Sequence, residues 1–165
     1  MTHTDISADV IKQLRRRLIG HGALLVFAGG VIGFFFLFFL IGKVELWPIP
    51  GSIDYQMPGT YDGWRMAHIE GILNGVFLWL TAAVLGYLPF GEVGLKRSVT
   101  GLIVVGWTFV IASTIDPLFL ESRGLEFGGP ASNLVAFFLF YVGVLIVMIM
   151  MPIIAFKTLF SKQNS

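Results

Sequence analysis

Long apolar runs separated by short stretches of glycine, proline and charge set the pattern of this chain. Four can be cut from it: Gly22 to Gly42, Trp64 to Leu88, Val99 to Phe119 and Asn133 to Phe156. Each reaches the ~20 residues that a helix needs to cross hydrocarbon, and none is broken by a cluster of charges. The pattern predicts an all-α integral membrane protein, a bundle of four transmembrane helices, with residues 1–165 forming one domain. Connections this short leave no room for a second domain, so function has to sit inside or between the helices. Residues 3–16 add Ile6, Val10, Ile11 and Leu14 at helical spacing among polar residues, which predicts an interfacial anchoring helix ahead of the first span. The phenylalanine-rich stretch at 34–39 reads as lipid-facing.

Composition narrows the class. The 165 residues are 56% hydrophobic and only 13% charged, against roughly 25% charged in soluble domains. Arg15, Arg16 and Arg17 precede the first run. That run exceeds the roughly 7 to 15 residues of a signal-peptide core and no small-x-small site follows it, so a retained signal anchor is expected. The chain has no cysteine, which excludes disulfides, iron–sulfur clusters and thiolate nucleophiles. A net charge of +1 is too slight to suggest a nucleic-acid partner.

Lysine and arginine divide unevenly between the two sides. Eight (Lys12, Arg15, Arg16, Arg17, Lys96, Arg97, Lys157 and Lys162) lie on the side of the termini, and three (Lys43, Arg65 and Arg123) on the other. The positive-inside rule then puts both termini and the 89–97 loop in the cytoplasm of a multi-pass protein. The first outer loop, Lys43 to Gly63, holds Pro48, Pro50 and Pro58 with Gly51 and Gly59, so an ordered, turn-rich and non-helical excursion is expected. Trp47, Tyr55, Tyr61 and Trp64, in and beside it, are amphipathic rings suited to a headgroup layer. The second outer loop, with ESRGLEFGGP at 121–130, closes the same end.

Polar side chains within spans are costly and therefore point to function. His21, in GHG, reads as an interfacial histidine on a glycine-flanked turn. His68 shares one helical face with Gly71 and Gly75, and Trp79 returns to it. Two readings stay open there. A histidine above two glycines leaves a flat strip on which a planar haem could lie, or the glycines form a small-xxx-small seam for another helix. Glu70 and Asn74, four apart, share a second face and are placed to bond each other or a common ligand. Asp116, before Pro117, reads as a helix terminator. If haem binds at His68, a second axial histidine is wanting. His21 belongs to the opposite end of the bilayer, on the order of 30 Å away, and His3 lies on that side too. A five-coordinate iron would suit Lewis-acid chemistry or small-ligand binding better than electron transfer.

The ordered set GHG at 20–22, PGTYDGWRMAHIEGILNG at 58–75, Gly106-Trp107 and RGLEFG at 123–128 resembles the membrane-bound styrene oxide isomerases of bacteria, over nearly the whole chain. The resemblance implies a four-helix protein of the bacterial inner membrane, a homotrimer with haem b near its subunit boundaries. It implies an intramolecular isomerase: ferric iron acts as Lewis acid on the oxygen of a hydrophobic aryl epoxide drawn from the bilayer, the ring opens toward a benzylic cation, and a 1,2-hydride shift gives the aldehyde. His68 matches the family's axial histidine and Asn74 its asparagine beside the substrate oxygen, with Gly71, Gly75 and Trp107 as further cofactor-binding candidates. The chain departs from the family pattern at Ser113, where a tyrosine is expected, at Val105 in place of an aspartate and at Glu70 in place of a glycine. Glu70 and Ser113 are accordingly catalytic candidates in place of the missing groups. The other reading is a non-catalytic or redox membrane haem protein that binds a small ligand.

Overall fold

The computed structural model describes residues 6–46 and 48–160, so His3, Trp47 and Lys162 lie outside it. Its elements are α1 (Ala8–Ile41), a two-residue hairpin of β1 (Val44–Glu45) and β2 (Ser52–Ile53), α2 (Tyr61–Val84), a 3-10 turn at Leu85–Tyr87, α3 (Glu92–Leu118) and α4 (Ala131–Phe160). All four helices are long and apolar enough to cross a membrane. Each apolar run falls largely within one of these helices; the second run passes beyond α2 through the 3-10 turn to Leu88, and polar residues lengthen the helices at their N-terminal ends.

Local signals account for the ends. Ser7 accepts from the backbone of Val10 to start α1, and Gly42, at φ 73, stops it in the left-handed conformation that a side chain disfavours. Thr60 caps α2 by accepting from Gly63. Pro117 falls in the last turn of α3, which ends one residue later at Leu118. Asp116 therefore marks the end of α3, as its position before proline suggested.

The separate interfacial helix is not found. α1 runs unbroken for 34 residues, about 51 Å at 1.5 Å per residue, and Leu14 and Leu18 are buried in the same core as Leu25. Val10 and Ile11 pack against that core rather than a lipid surface, because the apolar stripe of the first turns continues in phase with the span. The phenylalanine stretch is likewise divided: Phe34 faces outward, while Phe36 and Phe39 pack on the core.

The core joins α1, α2 and α3 through Leu18, Leu25, Trp64, Leu78, Leu85, Leu95 and Val99. α1 and α2 form the closest pair, and α4 packs against α3, outside the three-helix core. At the end of the bundle away from the N-terminus of α1, the indole N–H of the fully buried Trp64 donates to the carbonyl of Pro58 at 2.7 Å. Gly59 packs on Pro117, and the Asp116 carboxylate faces Gly63 in the first turn of α2.

Candidate active site

The α1–α2 seam is built from glycines. A Cβ on Gly71 would lie 2.5 Å from Gly29 Cα, and one on Gly75 would lie 2.6 Å from the carbonyl oxygen of Gly22. Only residues without side chains allow backbones this close. Of the two readings of the His68–Gly71–Gly75 face, the seam is therefore the one realised. α1 covers both glycines, so no planar ring lies on them, and their assignment as cofactor-binding residues does not hold within the chain.

His68 has a different place on that face. Its ring lies over Gly33, where a Cβ would come within 2.7 Å of Nδ1. Nδ1–H donates to the carbonyl oxygen of Gly29 at 2.8 Å. That hydrogen bond fixes ring orientation and tautomer, and it leaves Nε2 with its lone pair, as in metal-bound histidines whose other nitrogen is held by a carbonyl. Among the described residues no three His, Asp or Glu side chains gather around a common point. The donor set is thus a lone imidazole, which cannot cage a bare ion but suits a metal that brings its own equatorial ligands.

His21 is nearer to His68 than the loops suggested. Gly29, bonded to His68, is eight residues from His21 on α1, about 12 Å along the axis. The 30 Å expectation fails because His68 lies two turns inside α2, while α1 continues past Gly33 to Ile41. His21 is also not simply interfacial. Its Nδ1 accepts from the indole N–H of Trp107 at 3.1 Å, so GHG on α1 and Gly106-Trp107 on α3 meet directly. The Trp107 ring borders an apolar cleft of about 690 Å³ between α1 and α3, with Phe27, Val31, Phe35 and Ile111 among its walls.

The second polar face of α2 turns to α3. Asn74 packs beside Gly106, and its Nδ2 donates to the main-chain oxygen of Glu70 at 2.9 Å rather than to the carboxyl. The side-chain pair between Glu70 and Asn74 is therefore not formed. Glu70 lies against Ser113, whose hydroxyl is spent on the carbonyl of Phe109 at 2.8 Å. Oε2 of Glu70 is buried without a hydrogen-bond partner among the described residues, and such an orphan acceptor is costly to keep. His68 and Asn74, six residues apart, point about 120° apart around α2. One chain thus presents an imidazole toward α1 and a carboxyl–amide–hydroxyl group toward α3, without joining them.

The sequence reading missed Gly29 and Gly33, which hold His68; their own small-xxx-small spacing was the available signal. It also missed the partnership of His21 and Trp107, for which no local signal exists.

The family model described as styrene oxide isomerase matches residues 14–159, nearly the whole chain. A styrene-oxide isomerase from Pseudomonas fluorescens is similar at 33% identity over 125 residues, 72% of this chain and 69% of that protein. Four apolar spans, the motif residues packed between them and a match of this extent lead to one conclusion: the chain belongs to the styrene oxide isomerase family and is an isomerase.

Proposed function

We propose that this isomerase converts an aryl epoxide such as styrene oxide to the corresponding aldehyde, with ferric haem b bound through Nε2 of His68. The observation that carries the reading is the His68 Nδ1–Gly29 hydrogen bond, which presents a single oriented imidazole nitrogen. When bound, the haem would supply Lewis acidity toward an oxygen atom. In the rearrangement the benzylic C–O bond of the epoxide breaks. A hydride then moves from the terminal carbon to the benzylic carbon, and the oxygen closes a carbonyl on the carbon that lost it. No oxidant, reductant or water is consumed.

The chain's own residues have three tasks. Gly29 and Gly33 hold the His68 ring, one by its carbonyl and the other by its missing side chain. Asn74 is tied to the Glu70 carbonyl through one amide hydrogen, and its second remains available to orient the substrate oxygen. Apolar helix surfaces exclude water, which would otherwise capture a benzylic cation as a diol. The cleft between α1 and α3 is matched to an aryl group arriving from lipid. Ser113 and Glu70 complete the polar group on the α3 side.

The same reading places the protein in the bacterial inner membrane with both termini cytoplasmic, as a homotrimer with haem at the subunit boundaries. The divergence of His68 and Asn74 around α2 supports that assembly, because one ligand meets both most readily where two copies adjoin. Purified protein should carry a haem Soret band and isomerise styrene oxide, and His68→Ala should remove the band. Pigmented protein that leaves aryl epoxides unchanged, or a His68→Ala variant that keeps its haem spectrum, refutes the proposal.

A further inference from the structure

The cations at the inner ends of the helices fall into two groups. Arg15 donates from Nε to the carbonyl of Ala82 near the end of α2, and Arg17 reaches the hydroxyl of Thr100 on α3. Lys96 pairs with Glu92, and the Lys157 ammonium sits 4.9 Å above the Phe90 ring. These four help hold the fold. Lys12, Arg16 and Arg97 make no ion pair or side-chain hydrogen bond among the described residues; of these, Lys12 and Arg16 lie one turn apart on the exposed side of α1. With Asp9, Gln13 and Arg17 they border an open cavity of about 570 Å³.

The same side of α1 continues into the membrane. At 100° per residue, Lys12, Arg16, Gly20, Ala23 and Phe27 fall on one stripe about 80° wide. Gly20 has no neighbour within 4 Å, and Phe27 is 69% exposed. Eleven residues separate Arg16 from Phe27, about 16 Å along the axis, close to half of a ~30 Å hydrocarbon core.

We propose that this stripe seats one anionic phospholipid, with its phosphate on Lys12 and Arg16 and an acyl chain along Gly20, Ala23 and Phe27. The guanidinium of Arg16 presents paired donors matched to phosphate oxygens, and Lys12 adds a second positive charge one turn away. The open space beside Gly20 gives the first methylenes room against the helix. Cations running directly into a lipid-exposed apolar stripe distinguish this partner from nucleic acid or an acidic protein, neither of which would use the lower half.

Purified full-length protein in nanodiscs of equimolar phosphatidylglycerol and phosphatidylcholine, followed by native mass spectrometry of retained lipid, tests the proposal. Wild-type protein should retain phosphatidylglycerol preferentially. The double variant Lys12→Gln/Arg16→Gln should lower its apparent affinity by about 20-fold to 30-fold, at about fivefold for each surface cation. Arg97→Gln removes a cation from the same side of the membrane but off the stripe, and should leave the preference intact. Equal retention of the two lipids by wild type, or an equal loss in Arg97→Gln, overturns the proposal in favour of diffuse surface charge. Displacement of the lipid by inorganic phosphate alone overturns the acyl-chain half and leaves a simple anion site.

Discussion

The α1–α2 seam can be probed by adding a single methyl group. In Gly71→Ala the new Cβ would stand 2.5 Å from Gly29 Cα, 2.8 Å from Gly29 N and 3.2 Å from the Leu25 carbonyl, where ordinary contacts begin near 3.4 Å. The atoms met are backbone, so no rotamer change relieves them, and the helices must separate by about 1 Å. Overpacking of this kind costs about 1–3 kcal/mol. The same shift stretches the 2.8 Å His68–Gly29 bond past hydrogen-bonding range, a further loss of about 1 kcal/mol. Alanine's better helix propensity returns about 0.5–1 kcal/mol. The net loss of about 1–3 kcal/mol corresponds to a fall of about 3–10 °C in the midpoint for a chain of this size. Thermal unfolding in detergent, followed by helical circular dichroism, measures it. The matched control is Gly20→Ala, whose methyl meets nothing within 4 Å and should keep or slightly raise the midpoint. Equal midpoints for the two variants would show that the helices do not touch where the seam places them.

On the proposed trimeric assembly, co-expression of His68→Ala with Asn74→Ala should restore part of the isomerase activity that each variant lacks alone, because mixed oligomers would regain some intact boundaries; no recovery would place both groups in one subunit's site. Asn133→Ala removes three hydrogen bonds, from the Gly124 N–H and to the carbonyls of Glu126 and Gly128, at a site 8% exposed. A loss of about 2–4 kcal/mol and faster tryptic cleavage after Arg123 should follow, and an unchanged digestion pattern would refute the clamp. At the hairpin, a hydrogen bond and the charge of Glu45 hold the Lys43 ammonium above the ordinary lysine range, at a 2.6 Å contact outside the spans. A pKa raised on folding contributes stability below the unfolded lysine value and loses it as pH rises through the folded one. The alkaline decline of the melting midpoint should therefore be shallower in Lys43→Gln, and parallel profiles would remove the effect.

Apolar runs were enough to count the spans, because lipid asks for length and hydrophobicity before anything else. They could not show where helices end, since backbone hydrogen bonds continue through Arg15–Arg17 for as long as Leu14 and Leu18 have a core to reach. They also misjudged depth: counting from loops put His68 at the far surface from His21, whereas the hydrogen bond to Gly29 draws it inward. The site was half legible. A periodic pattern identifies which residues share a face, and so it found both His68 with its glycines and Glu70 with Asn74. It carries no information about which element covers that face, so the alternatives at Gly71 and Gly75 had to wait for α1.

The imidazole of His68 occupies space that any side chain at position 33 would claim, and it leans on a carbonyl that also belongs to the ladder of α1. Positions 33 and 68 thus form a single unit of inheritance across two helices. A descendant that loses the histidine is free to fill position 33, and one that fills position 33 first has evicted the ring. Bulk at residue 33 in a relative is therefore a readable sign that its imidazole, if retained, no longer points the same way.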